Sequence, residues 1–147
     1  MIIFDTNVIS EIIKENCAPA VRQWLTTISA DEMATTAINA IELRSGAAIL
    51  PNGKRKAALL LAIETSLEVL FGLRVFPYDL HSAMHHAEII SSMRPKGKDI
   101  LLADCMIAAI ARQRNCSVAT RDVSPFRHAG LAVINPWADE LAPQPGR

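Results

Sequence analysis

Cysteines, aromatic residues and a surplus of either charge are all scarce in this 147-residue chain, and each shortage removes a class of explanation. The three cysteines, Cys17, Cys105 and Cys116, are odd in number and form no CxxC pair. That excludes a disulfide framework and makes a reducing cytoplasm the expected setting. Fifteen Lys and Arg balance fifteen Asp and Glu, leaving a formal net charge of zero. A passive nucleic-acid coat carries a basic surplus, so any polyanion met here has to be met by a local patch. No uninterrupted apolar run reaches the ~18 residues of a membrane span, and no basic stretch leads into an apolar signal core. Neither membrane insertion nor secretion is expected. Only 5% of residues are aromatic while 50% are hydrophobic, a mix that suits a helix-rich globular protein. The length predicts one domain over 1–147 with a single core, frayed at a proline-bearing tail from about 140.

What is present is an alternation of short apolar runs and amphipathic stretches. "MIIFDTNVIS" puts an Asp-Thr-Asn cluster straight after an apolar start, which predicts a strand over 2–5 running into a helix over 6–15. Further helices are expected at 19–29, 37–50, 54–70, 79–93 and 99–114, with Thr35 or Thr36 and then Asp79 as caps. "EMATT", "RVFP", "CSVAT" and "LAVIN" read as short strands. Strands alternating with helices predict an α/β fold, a three-layer α/β/α sandwich around a mainly parallel sheet of about five strands.

Four carboxylates stand where charge is unexpected. Asp5 lies just past the first strand, at the end where open parallel sheets bind ligands; its alternative role is to cap the next helix. Asp104 is the sole charge in "ILLADCMIAAIA", and a helical projection sets it among Ile100, Leu101, Ile107, Ala108 and Ala111. A buried lone carboxylate costs several kcal/mol unless paired, so it demands a partner. Glu42 falls on the side of Ile38, Ile41, Ser45 and Ile49, with Arg44 near enough in sequence to be an ordinary ion-pair partner. Asp122, in "VATRDVSPF", again follows a strand, though an Asp before Ser-Pro is also a common turn residue. Arg121 beside it is either a phosphate contact or simply a solvated side chain.

Were these acids to converge bare, each pair at ~4 Å would cost about 4 kcal/mol at an effective dielectric of about 20. A hard divalent cation resolves the conflict. All-oxygen ligands suit Mg²⁺ or Mn²⁺, and such an ion serves phosphodiester hydrolysis.

"MIIFDTNVISE", "TAINAIELRSGAAILPNGKRK", "ADCMIAAIARQRNCSVATRDVSPF" and "VINPW" together resemble, in order and over nearly the whole chain, the successive motifs of PIN-domain ribonucleases, specifically VapC-type toxins of the FitB-like branch. The resemblance implies an endoribonuclease dependent on Mg²⁺ or Mn²⁺ that hydrolyses RNA with metal-activated water, and leaves a 5′-phosphate. It also implies the toxin of a type II toxin-antitoxin pair, inhibited by a cognate antitoxin, in a homodimer or a toxin-antitoxin hetero-oligomer, with no membrane partner. Carried over by position, the catalytic and metal-holding set is Asp5, Glu42, Asp104 and Asp122, with Asn7 and Thr120 as accessory polar residues. Asp99 is expected to cap its helix instead of binding metal, and the apolar helices at 19–29 and 54–70 are offered as docking surface.

Three rival readings are weaker. "FDTN" also resembles the nucleophile motif of haloacid-dehalogenase-like phosphatases, but Asn7 replaces the second acid that chemistry requires. His81 and His85, with His86 or Glu88, could frame a zinc site, yet are more simply a solvated helix face. A PIN-like module that binds RNA or protein without cutting is the remaining alternative.

Overall fold

The computed structural model describes residues 1–138, so the expected tail from about 140 lies outside the described residues. Five short strands are present: β1 (Ile2–Phe4), β2 (Met33–Thr36), β3 (Val75–Phe76), β4 (Ser117–Ala119) and β5 (Val133–Ile134). All pair in parallel in the order β3-β2-β1-β4-β5. The chain moves outward from β1 through β2 to β3, then crosses back to lay β4 on the other side of β1. That reversal creates a switch point at the carboxyl ends of β1 and β4, where such sheets hold ligands.

Period-two alternation in the strands divides the core into two layers. Ile2, Phe4 and Ala119 face one side, where they meet α1 (Thr6–Ile13), α2 (Pro19–Leu25), α3 (Ala37–Ala48) and α4 (Lys54–Ser66). Phe4 anchors this layer, its ring 5.1 Å from Trp24 and 5.7 Å edge-on from Phe71. Ile3, Ala34, Phe76 and Val118 face the other side, against α5 (Leu80–Met93), α6 (Leu102–Gln113) and α7 (Val123–His128). The three-layer expectation holds. Helix α7 was not anticipated; a six-residue helix is too short to show periodicity, and Pro125 falls in its first turn, where a missing amide hydrogen bond is tolerated.

Several boundaries moved. Helix α2 stops at Leu25, and α4 passes at Ser66 into a single wider turn over Leu67–Phe71 that Gly72 ends with φ +52°. Helix α6 starts at Leu102 with Leu101 as its N-cap, so the exposed Asp99 lies too early to cap it. Asp79 does cap α5, accepting from the Ser82 amide at 2.9 Å, and Thr36 caps α3 by accepting from the Asn39 amide.

The segment leading to α6 is fixed by a left-handed turn. Gly97 has φ +63°, its N–H donates to the Arg94 carbonyl, and the Lys98 N–H reaches the Met93 carbonyl, which closes the turn after α5 as a Schellman motif. A Cβ here would meet nothing within 4 Å, so only backbone strain opposes it. Gly97→Ala is expected to cost about 1 kcal/mol, a fall in melting temperature of about 2–4 °C, readable by thermal unfolding.

Candidate active site

The switch point is where the polar residues gather. Asp5 is the N-cap of α1 through its backbone, and its carbonyl accepts from Val8 and Ile9. Its side chain makes no capping bond. The carboxylate instead turns to the end of the sheet and is 7% exposed. Oδ2 accepts from Thr120 Oγ1 at 2.7 Å and Asn7 Nδ2 at 3.2 Å, and Oδ1 from Asn39 Nδ2 at 3.0 Å. Burial nonetheless pushes its pKa above the ordinary carboxylate range, because desolvation outweighs the donors that favour the charged form.

Asn39 is a residue of the site that sequence reasoning missed. Fully buried on α3, it donates to Asp5 and, at 3.1 Å, to Thr6 Oγ1, while its Oδ1 accepts from Thr36 Oγ1 at 2.6 Å. Thr6 Oγ1 donates in turn to Glu42 Oε2, so a chain of hydrogen bonds runs from Asn39 through Thr6 to Glu42. The signal was present in "TTAINAIE", which sets Asn39 one helical turn before Glu42 and three residues after the Thr36 cap.

Glu42 is half-buried, not core-facing as its apolar neighbours suggested: Ile41 is 58% and Ile49 85% exposed. Helix α3 packs through Ala40, Leu43 and Ala47 instead. Arg44, the sequence alternative for a partner, pairs with Glu64 at 2.7 Å.

From the β4 side, Thr120 is fully buried and joins three residues: it donates to Asp5 and accepts from Asn7 Nδ2 at 3.0 Å and the Asp122 amide at 3.1 Å. Asn7 Oδ1 in turn accepts from the Arg121 amide at 3.1 Å. Asp122 is the exposed N-cap of α7 and its carboxylate makes no capping bond. Asp104 enters from the first turn of α6, half-buried where the sequence predicted full burial; neighbouring Leu101, the N-cap of α6, is 75% exposed. Its pKa is raised to about 6, first by desolvation and then by the negative charges of Asp5, Glu42 and Asp122. The carboxylates therefore share one electrostatic neighbourhood.

The sequence profile of the PIN domain matches residues 2–131. The chain belongs to the PIN-domain family. It is 42% identical to Toxin FitB of Neisseria gonorrhoeae over 95% of this chain and 100% of that one. It is 40% identical to VapC ribonuclease Y4jK of Sinorhizobium fredii over 93% and 98%. Among solved structures, FitAB bound to the IR36 DNA fragment superposes with a TM-score of 0.88 at 41% identity, covering 94% of this chain and 96% of that chain.

The donor chemistry of this PIN domain fits a hard divalent cation: the site offers carboxylate and hydroxyl oxygens, and the charge that lifts Asp104 is what such an ion would offset. Asp5 is fixed by its three donors, whereas Asp104 and Asp122 carry no hydrogen bond to their carboxylates among the described residues. No three of His, Cys, Asp and Glu among the described residues already stand at a metal-closing spacing. The histidines of the zinc reading have separate partners, His85 with Glu88 at 3.3 Å and His86 with Tyr78 at 3.2 Å. No helix among the described residues is long and apolar enough to cross a membrane.

Proposed function

We propose that this chain is an endoribonuclease dependent on Mg²⁺ or Mn²⁺, acting in the cytoplasm as the toxin of a toxin-antitoxin pair. The observation that carries the reading is that carboxylates from β1, α3, α6 and the β4–α7 junction surround one sheet end, Asp104 being lifted to about 6 by desolvation and then by the charges of Asp5, Glu42 and Asp122. Relatives that bear the names toxin and ribonuclease support it.

In this reading Asp5, Glu42, Asp104 and Asp122 hold the ion. Once bound, a divalent cation supplies an acidified water and offsets the charge that develops on phosphorus. The chain's own part is positional. Thr120, Asn7 and Asn39 lock Asp5 in one orientation; Thr6 holds Glu42 through one oxygen. Asp104, deprotonated above about pH 6, completes the negative cradle. No serine, cysteine or histidine is needed as nucleophile.

The proposed partners are RNA, a cognate antitoxin and a second copy of the chain. Exposed apolar residues Ile41 and Ile49 on α3, Leu61 on α4, and Val69 and Leu73 beyond it support a docking face there. On helix α2, Val21 and Trp24 are buried in the core.

Purified, antitoxin-free protein is expected to cut total cellular RNA into discrete fragments with Mn²⁺ or Mg²⁺, and to leave it intact in EDTA, the fragments carrying 5′-phosphates. Ends with 2′,3′-cyclic phosphate would show attack by the 2′-hydroxyl and sink the hydrolytic route. Tight RNA binding without cleavage under every condition would favour the non-catalytic module.

A further inference from the structure

A site built from four carboxylates repels the polyanion it is proposed to cut, and the chain's zero net charge supplies no general attraction. Something local must hold the RNA backbone. Several of the cations are already engaged: Lys14 with Glu11 at 2.9 Å, Arg44 with both oxygens of Glu64, Arg74 with the carbonyls of Met33, Ala30 and Leu70, and Arg112 with the Ala129 carbonyl.

Arg121 differs. It is exposed, and it lies between Thr120, which grips Asp5, and Asp122. Its amide is tied to Asn7 Oδ1 at 3.1 Å, so its backbone is fixed to the same network that orients Asp5. Its guanidinium lies 4.5 Å over the ring of Trp137, and that ring packs against the inner core layer. Among the described residues the guanidinium makes no hydrogen bond and no ion pair, so its N–H donors are not committed to any of them. A planar fork held on an aromatic face has lost little further freedom to lose when an anion binds. Its charge also reaches buried Glu11 on α1, which places it on the α1 side of the acid cluster.

We infer that Arg121, steadied by Trp137, binds a backbone phosphate of the RNA next to the one being cut. It is a substrate-positioning residue at the rim of the acids, and the inference rests on the nuclease reading above.

The test uses the full chain and a synthetic single-stranded RNA spanning a mapped cleavage site. Arg121→Ala is expected to raise KM about tenfold with kcat nearly unchanged, as loss of a charge-assisted contact outside the reacting centre should. The dependence of log kcat/KM on log salt should become shallower by about 0.7, one phosphate contact on a single strand. Arg121→Lys should keep the wild-type salt slope with an intermediate KM, and Trp137→Leu, checked for folding by thermal unfolding, should raise KM while leaving that slope in place. An Arg121→Ala enzyme with unchanged KM and salt slope would overturn the inference, as would a loss confined to kcat or to melting temperature. If the wild type itself fails to cleave, the nuclease reading falls separately; binding of the same RNA then decides, and an unchanged Kd for Arg121→Ala overturns this inference too.

Discussion

Asp104→Asn is expected to abolish RNA cleavage, by about a thousandfold or more, while making the metal-free protein more stable at neutral pH. The two effects have one origin. Asp104 has a pKa of about 6 in the fold against an ordinary 3.8, so the folded state holds the proton more tightly than the unfolded state does. Stability contributed by this group is greatest in acid, falls as pH rises from about 3.8 to about 6, and stays low above that. Asparagine removes the charge and with it the penalty. The shift of about two units sets a ceiling of about 3 kcal/mol, and access of solvent to a half-buried group reduces this to about 1–2 kcal/mol. Melting in EDTA should therefore rise by about 2–8 °C at pH 7.5, with the gain disappearing near pH 4. Mg²⁺ or Mn²⁺ should reverse the order, stabilising the wild type more than the variant, and the ion's affinity for the wild type should weaken as pH falls below about 6. A melting difference that ignores pH would show that Asp104 does not carry the mutual repulsion of the four acids.

The second large effect is expected at Asn39, which touches no substrate in this reading. Asn39→Ala deletes donors to Asp5 Oδ1 and Thr6 Oγ1 and the acceptor for Thr36 Oγ1, all inside the protein. Leaving a buried carboxylate and two hydroxyls short of partners should cost about 2–4 kcal/mol, a fall of about 4–15 °C in melting temperature. Cleavage should drop about 10–100-fold even at temperatures where the variant is fully folded, because an unsupported ligand binds metal less well. The pKa of Asp5 should rise further, moving the acid limb of the activity profile to higher pH. Wild-type cleavage by a folded Asn39→Ala protein would show that the orientation of Asp5 does not depend on this amide.

Much of this was legible from the chain alone, for identifiable reasons. Asp5 stood out because it directly follows a short apolar strand at the sheet end where ligands bind, whereas Asn7 and Thr120 entered through the resemblance to PIN-domain ribonucleases. Asn39 did not, since an Asn at the third position after a Thr cap looks like an ordinary companion of that cap. The faces of Glu42 and Asp104 were misjudged for a different reason. A helical projection groups apolar residues without knowing which of them meet a neighbour, and Ile41, Ile49 and Leu101 prove to be exposed. The order of the strands was also hidden: nothing in "CSVAT" announces that it pairs with β1 and not with β3, its predecessor in sequence.

That pairing bears on when, during synthesis, the candidate site can take shape. Asp5 is set by Asn39 from 34 residues away and by Thr120 from 115 residues away, so its final orientation waits on the closure of nearly the entire chain. Contacts of such separation form late, after the loops between them have collapsed. A polypeptide still leaving the ribosome has Asp5 and Glu42 long before it has β4, and without β4 the cradle stays open. Under the proposed nuclease reading, synthesis delivers a chain whose cradle is completed only once β4 has joined the sheet.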